Sequence, residues 1–331
     1  MIITRTPFRI SFFGGGTDYP VWFENNGGAV ISASINKYCY ITCRYLPPFF
    51  EHKHRIIWTK VESVKNTDEI QHPAVNAALR IFNIQEGLEI HHDGDLPART
   101  GLGSSSSFAV GIIHALHALK GKIVSKRQLA LEAIHLEQEV LKENVGCQDQ
   151  VVAAFGGFNK IEFGGSNKIT VSPMPMSSER LNLFQDHLML FFTGFSRTAS
   201  EIAAEQIKNT PNKTFELKAL RNMVEEAVEI LDGNGPLDDF GKLLDESWKI
   251  KKSLSLKISN QHIDEIYTAA KSAGALGGKL LGAGGGGFIL FFVKPELQPS
   301  VREKLGNLLQ VPFRFENLGS QIVYYGQGTE F

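Results

Sequence analysis

The sequence predicts an α+β protein of two domains, with mixed sheets packed against helices. Three observations predict it. The first half alternates short apolar, β-branched runs with glycine turns; the second half carries long stretches at helical spacing; and a proline-broken segment, Ser172-Pro-Met-Pro-Met-Ser-Ser178, separates them. The chain has 331 residues, 43% hydrophobic and 21% charged, an ordinary globular composition. At roughly 100 to 200 residues per domain this length suits two units with two modest cores. The break at 172–178 divides the chain into residues 1–175 and residues 180–331.

Each element follows in order. Phe8 to Phe13 reads as a strand ending in Gly14-Gly15-Gly16, and Gly28 to Ile35, Tyr38 to Tyr45 and Arg55 to Val61 continue the sheet. His72 to Phe82 is helical, with Val75, Leu79 and Phe82 on one face, and Leu88 to His92 returns to strand. From Phe108 to Leu119 apolar residues recur at helical spacing, so a helix opens directly after Gly101-Leu-Gly-Ser-Ser-Ser-Ser107. Ser125-Lys-Arg-Gln128 reads as a capping box for a helix with Leu129, Ala133, Leu136 and Val140 on its face. Gly156-Gly157 breaks the pattern, Phe158 to Phe163 is strand, and Gly164-Gly-Ser-Asn-Lys168 is a turn. Beyond the linker come a strand at Leu188 to Thr193 and helices over about 199–231, 237–254 and 262–273. The glycine run 282–287 precedes a strand, Phe288 to Val293, and a further helix and terminal strand complete the second domain.

Composition excludes several classes. With 34 Lys+Arg against 35 Asp+Glu the net charge is −1, so no global field gathers nucleic acid or acidic membrane. The purely apolar runs Leu188 to Phe192 and Phe288 to Val293 are far below the roughly 20 residues that span a bilayer, and no long apolar signal follows Met1. Cys39, Cys43 and Cys147 form neither a disulfide framework nor a C-x-x-C pair, which fits a reducing cytoplasm. The oligomeric state is left open, a homodimer included.

Three segments concentrate glycine or serine: Gly14-Gly-Gly-Thr-Asp18, Pro97-Ala-Arg-Thr-Gly-Leu-Gly-Ser-Ser-Ser-Ser107 and Gly282-Ala-Gly-Gly-Gly-Gly287. In the second, Gly101 and Gly103 permit unusual torsions before a helix whose first N–H groups have no intrahelical acceptor. That makes a local anion cradle suited to nucleotide phosphates. The third satisfies G-x-G-x-x-G, but a helix precedes it and a strand follows, the reverse of a dinucleotide fingerprint, and no Walker pattern is present. Its glycine density predicts close backbone approach to something.

These three motifs are similar in order and spacing to those of the GHMP sugar and mevalonate kinase superfamily, and the likeness runs from residue 5 to residue 288. Within it the sequence looks most like bacterial kinases of D-glycero-D-manno-heptose 7-phosphate. Gly14-Gly-Gly-Thr-Asp18, the four serines, and Gly146-Cys-Gln-Asp-Gln150 followed by Ala-Phe-Gly-Gly-Phe-Asn159 carry that closer match. The resemblance implies a GHMP-kinase-like fold with its active site in the inter-domain cleft. It also implies ATP and Mg²⁺ as cofactors and phosphorylation of the anomeric C1 hydroxyl to the 1,7-bisphosphate, feeding surface polysaccharide.

Carried over residue by residue, it makes Asp149 the group at the acceptor hydroxyl and Arg9 its cationic neighbour. Gly101, Leu102, Gly103, Ser104, Ser105, Ser106, Gly284 and Gly285 fall to ATP, and Ser105 with Glu137 to the metal, Ser104 or Ser106 replacing Ser105 if the register shifts by one. Gly15, Gly16, Thr17, Asp18 and Tyr19 fall to the sugar. Galactokinases carry Glu-His where this chain has Gly15-Gly16, which implies a roomier pocket and argues against galactose. A sugar phosphate needs a cation; Arg197 is chosen over Lys249, Lys251, Lys252, Arg99 and Lys279 because a comparable Thr-x-x-x-Arg segment occurs in the heptose kinases. A kinase of another sugar such as fucose, a non-catalytic sugar sensor and an ATP-dependent decarboxylase are the rival readings.

Overall fold

The computed structural model describes residues 1–165, 168–194, 199–233 and 235–326. Arg197, the residues 166–167 of the turn expected at 164–168, and the chain after 326 lie outside them.

In chain order the elements are β1 (Ile2–Phe13), α1 (Pro20–Asn26), β2 (Gly28–Tyr45), β3 (His54–Ile57), β4 (Val61–Val64), α2 (Pro73–Ile81), β5 (Leu88–Gly94), α3 (Ser104–Leu119) and α4 (Lys126–Ile134). A π-helical turn (His135–Val140) leads to α5 (Gln148–Phe155), β6 (Phe158–Gly164), β7 (Lys168–Pro173), α6 (Ser178–Asp186), β8 (Leu188–Gly194), α7 (Ala199–Asn209), α8 (Thr214–Asp232) and α9 (Asp238–Ser253). Then follow α10 (Gln261–Ser272), β9 (Ala275–Leu280), β10 (Gly287–Val293), α11 (Gln298–Lys304), β11 (Leu309–Gln310) and β12 (Gln321–Tyr325).

Two sheets result. The larger runs β12-β1-β2-β5-β3-β4, with β6 and β7 joined through β2. The two runs expected at 28–35 and 38–45 are one 18-residue strand, β2, whose far edge pairs first with β6 (Gly28 to Ala33) and then with β5 (Cys39 to Tyr45). All pairs in this sheet are antiparallel except β3 with β5. The smaller sheet, β11-β8-β10-β9, is wholly antiparallel. Helix α3 lies against β1 and β2. Gly111 allows that approach, because a Cβ there would stand 3.0 Å from Thr6 Oγ1 and 3.2 Å from Ile41.

Four expectations change. The terminal strand does not complete the second unit: β12 pairs antiparallel with β1, from Ile2 opposite Tyr325 to Arg5 opposite Gln321, so the 180–331 unit gives its last strand to the first sheet. Hydrophobic periodicity finds a strand but not its partner. The two expected cores are one: Phe12 on β1 meets Phe158, Phe184 of α6 and Phe240 of α9 at centroid separations of 5.6, 5.7 and 5.7 Å, and Phe184 meets Phe240 at 4.7 Å. These edge and tilted aromatic contacts weld the halves together. The helix expected over about 199–231 is two, interrupted at Thr210-Pro-Asn212 by proline's missing donor. The capping box at Ser125 is half made: its hydroxyl accepts from the Gln128 N–H at 3.1 Å, but the Gln128 side chain turns to Glu132.

Candidate active site

Arg9, near the middle of β1, is 4% exposed. Its backbone N–H donates to Leu102 O at 3.0 Å and its Nη1 to Gly101 O at 2.6 Å, so the strand itself fixes the serine loop. The rest of the guanidinium forks onto Asp149, Nε to Oδ1 at 2.7 Å and Nη2 to Oδ2 at 2.6 Å. Two parallel charge-assisted bonds hold the carboxylate in one orientation. Asp149 sits in the first turn of α5 and keeps 22% of its side chain exposed, enough for one face to meet a ligand.

Asp18 lies beside this pair, 3% exposed, accepting from Gly16 N at 2.9 Å. Burial pushes its carboxyl above the ordinary range, the Asp149 charge adds to that, and the Gly16 N–H opposes it. Gly146 leaves room for it, since a Cβ there would fall 1.9 Å from Asp18 Oδ2. Tyr19 is buried against both carboxylates, and burial, then the Asp18 and Asp149 charges, push its phenol up. The missing Gly15 side chain opens towards Ser11 Oγ and Gln148 Nε2, 3.8 and 3.9 Å from where a Cβ would stand. Ser11 Oγ and Gln148 Oε1 are themselves buried without partners among the described residues, which suits a polyhydroxylated ligand.

On the other side of Arg9, α3 opens at Gly103, whose φ of 75° is left-handed and which offers no side chain to cap the helix. The Ser104, Ser105 and Ser106 N–H groups therefore face outward with the helix dipole behind them. Glu137, in the π-helical turn, is 1% exposed and its Oε2 accepts from Ser106 Oγ and Gln150 Nε2, both at 2.6 Å. Its other oxygen, Oε1, is buried with no partner among the described residues. Burial pushes its pKa up to about 7, opposed by the Ser106 and Gln150 bonds. One orphaned carboxylate oxygen beside serine hydroxyls fits a magnesium ion, which takes few protein ligands and completes its shell with phosphate and water.

The third glycine segment explains itself differently from expectation. A Cβ on Gly282 would lie 2.5 Å from Gly101 Cα, one on Gly284 2.7 Å from Ile258 Cα, and one on Gly287 2.3 Å from Thr100 O. The Gly285 N–H donates to Ile258 O at 3.0 Å and its carbonyl accepts from Asn260. The close approach is to protein backbone, so this loop braces the serine loop and Gly285 does not spend its N–H on a phosphate.

Other sequence-derived residues are redistributed. The short hydroxyl contact to Glu137 comes from buried Ser106, and exposed Ser105 also hydrogen-bonds that carboxylate, so the expected Ser105 has Ser106 beside it. Ser104 Oγ accepts from Arg99 N at 3.2 Å. The Thr17 hydroxyl lies 2.8 Å from Gly14 O and 3.0 Å from Ala29 O and accepts from Ala29 N, so it pins the turn rather than facing a sugar. Gly16 opens no room: a Cβ there would meet Gln206 Nε2 at 2.7 Å and Leu217 at 3.3 Å, so α7 and α8 fill the space a side chain would take. Of the rejected cations, Lys249 pairs with Asp245, Lys252 with Asp264, and Arg99 is exposed, but Lys251 and Lys279 are buried at the site. Gln150 and Gly146 were legible only as neighbours of Asp149.

The arrangement sets a carboxylate held by a guanidinium between a polar, carboxylate-bearing recess and a helix N-terminus with an adjacent metal-competent acid. Residues 70–157 match the family model of the GHMP kinases N terminal domain, and residues 217–310 that of the GHMP kinases C terminal. The chain belongs to the GHMP kinase family. It is 29% identical to the D-glycero-alpha-D-manno-heptose 7-phosphate kinase of Campylobacter jejuni, over 96% of this chain and 98% of that protein. It is 27% identical to the L-fucokinase/L-fucose-1-P guanylyltransferase of Bacteroides fragilis, over 90% of this chain but 35% of that protein. A solved D-glycero-D-manno-heptose 1-phosphate kinase from Bacteriodes thetaiotaomicron superposes with a TM-score of 0.76 at 25% identity, covering 98% of this chain and 100% of that one. A Lactococcus lactis galactokinase complexed with galactose superposes with a TM-score of 0.76 at 20% identity, covering 97% and 95%, a likeness of fold. This GHMP kinase is an ATP-dependent sugar kinase. Among its described residues no helix is long and apolar enough to cross a membrane.

Proposed function

We propose that this GHMP kinase transfers the γ-phosphoryl group of ATP to the anomeric C1 hydroxyl of D-glycero-D-manno-heptose 7-phosphate, yielding the 1,7-bisphosphate and ADP for nucleotide-activated heptose. The Arg9–Asp149 fork is the observation that carries this, because it fixes a carboxylate between Asp18 and the α3 N-terminus. Similarity to the Campylobacter jejuni heptose 7-phosphate kinase over nearly the whole chain supports the choice of sugar. Three unpaired, buried cysteines fit a cytoplasmic setting.

Phosphoryl transfer asks for positioning and charge neutralisation more than for bond-making by the protein. Asp18 accepts hydrogen bonds from sugar hydroxyls, and Asp149 accepts one from the C1 hydroxyl, orienting its oxygen. An anomeric hydroxyl is more acidic than an ordinary alcohol, so Asp149 takes its proton late as the new O–P bond forms and the bond to ADP breaks. Arg9 holds Asp149 in one orientation and stabilises charge on the acceptor oxygen. The Gly101–Ser106 loop holds the nucleotide phosphates, and Glu137 with Ser105 and Ser106 would hold Mg²⁺. When bound, that ion neutralises phosphate charge.

ATP consumption with Mg²⁺ is measured across heptose 7-phosphate, mannose 6-phosphate, fucose and galactose, for wild type and Asp149→Ala. Turnover confined to the heptose phosphate and lost in the variant is expected. Preference for fucose keeps the kinase and retires the heptose; turnover of none of the four retires the catalytic reading.

A further inference from the structure

Two buried ammonium groups at the site have no use in phosphoryl transfer as set out above. Lys251, in the last turn of α9, is 8% exposed; Lys279, on β9, is 3% exposed. Lys251 Nζ donates to Gly282 O at 2.6 Å and Lys279 Nζ to Phe12 O at 2.8 Å. Neither has a carboxylate within 4.0 Å among the described residues, whereas Lys249 and Lys252 on the same helix both do. An ammonium has three N–H donors, and one neutral carbonyl each leaves most of that capacity unspent. Burying a cation with no carboxylate in contact is unfavourable, and a ligand of opposite charge offsets that cost.

Their position selects the ligand. Lys279 reaches the carbonyl of Phe12, two residues before the Gly14–Gly16 turn, and the charge of Asp18 acts on both lysines. Lys251 is close enough to Lys279 that its charge, after burial, depresses the basicity of Lys279, while Lys251 is pulled to about 8 chiefly by burial and then by Arg9. Lys279 extends from the second unit towards the turn after β1, and Lys251 towards Gly282, which packs on Gly101; the Asp149 charge acts on Lys251 as well, so the pair lies beside these two carboxylates. The start of α3 and Glu137 belong to the first unit. A monoanion would balance one of two neighbouring cations, and a phosphate monoester dianion balances both.

We propose that Lys251 and Lys279 together seat the phosphate monoester carried by the acceptor sugar, and so make this enzyme selective for sugar phosphates over free sugars. The proposal rests on the reading of the acceptor as a phosphorylated sugar, and it moves the phosphate seat from Arg197 to a buried pair.

The test compares the full-length wild type with Lys251→Met, Lys279→Met and Lys251→Arg. Methionine keeps the apolar stem and removes the charge. For each protein kcat and KM are measured with heptose 7-phosphate and mannose 6-phosphate and with the matching free sugars, alongside ATP affinity and thermal unfolding. The expected result is a drop of at least about tenfold in the ratio of kcat/KM for phosphorylated over free sugar in both methionine variants. It is carried by KM, with ATP affinity kept and partial rescue in Lys251→Arg. Folding faults lower all acceptors together and leave the ratio in place, so the ratio reads the seat alone. A wild-type preference for the phosphorylated sugar that survives both methionine substitutions overturns the lysine seat. A fall in kcat common to phosphorylated and free acceptors, with the ratio kept and thermal unfolding as in wild type, does so too, since it places the lysines on the transferring group. Wild type preferring free sugars instead defeats the proposed acceptor, and the seat with it.

Discussion

Arg9 and Asp149, 140 positions apart in the chain, meet through two hydrogen bonds of 2.7 and 2.6 Å, and the same guanidinium holds Gly101 O at 2.6 Å. One side chain therefore sets the distance between the carboxylate proposed to meet the acceptor hydroxyl and the loop proposed to hold the phosphates. Asp149→Asn is expected to lower kcat by about 10²- to 10⁴-fold with little change in ATP affinity, read from steady-state kinetics. Arg9→Lys supplies a point charge that cannot make the fork and reach Gly101 together, so kcat should fall by about tenfold or more. Arg9→Met should cost about 2 kcal/mol in denaturant unfolding, less than a fully buried pair because Asp149 remains partly in water. A wild-type rate in Arg9→Met would remove the fork from catalysis.

Gly146 is small because Asp18 needs the space. A Cβ there would stand 1.9 Å from Asp18 Oδ2, and the Gly146 backbone is not left-handed, so Gly146→Ala displaces the carboxylate without straining the chain. KM for the sugar should rise about tenfold, equivalent to about 1.4 kcal/mol, with KM for ATP unaltered. An unchanged sugar KM would mean that Asp18 does not touch the acceptor.

Burial of Glu137 costs stability at neutral pH. Burial holds its folded pKa near 7 against 4.5 for the free side chain, so the folded state binds this proton more tightly than the unfolded state. Stability from that proton is present at low pH, is lost as pH rises from about 4.5 through about 7, and its full loss amounts to about 3 kcal/mol. Glu137→Gln has no such loss. Without divalent ions it should melt higher than wild type at pH 8 and nearly together with it at pH 5, while its kcat with saturating Mg²⁺ and ATP falls about 100-fold. Coincident melting curves at pH 8 would show that the carboxylate carries no buried charge.

The contact between Gly101 and Gly282 tolerates no side chain. At Gly101 a Cβ would fall 2.3 Å from Leu281 O on a backbone with φ of +84°. Gly101→Ala should destabilise by about 2 kcal/mol through strain and raise KM for ATP more than KM for sugar, as the loops part. Equal effects on both substrates would assign the contact to general stability.

Much of this site is legible in the sequence because its elements are local signals. The glycine pair at 101 and 103 followed by serines announces a helix N-terminus, and the strand around Arg9 reads from its apolar neighbours. What escapes is whatever depends on distant partners. Glu137 stands in a π-helical turn that no 3.6-residue period announces, and buried Ser106 joins Ser105 at its carboxylate. The crowding at Gly282, Gly284 and Gly287 looks like ligand approach until Gly101, Ile258 and Thr100 are brought beside them. Lys251 and Lys279 differ from Lys249 and Lys252 only in burial, a property of the packed halves.

The pairing of β12 with β1 also bears on how the molecule is made. The strand that carries Arg9 gains its outer neighbour from residues 321–325, synthesised after every other described strand and helix of the second unit. On the ribosome the first sheet must wait with that edge open, so the strand of Arg9 is sealed late, and an interrupted translation product leaves an unpaired β1 edge exposed to other chains.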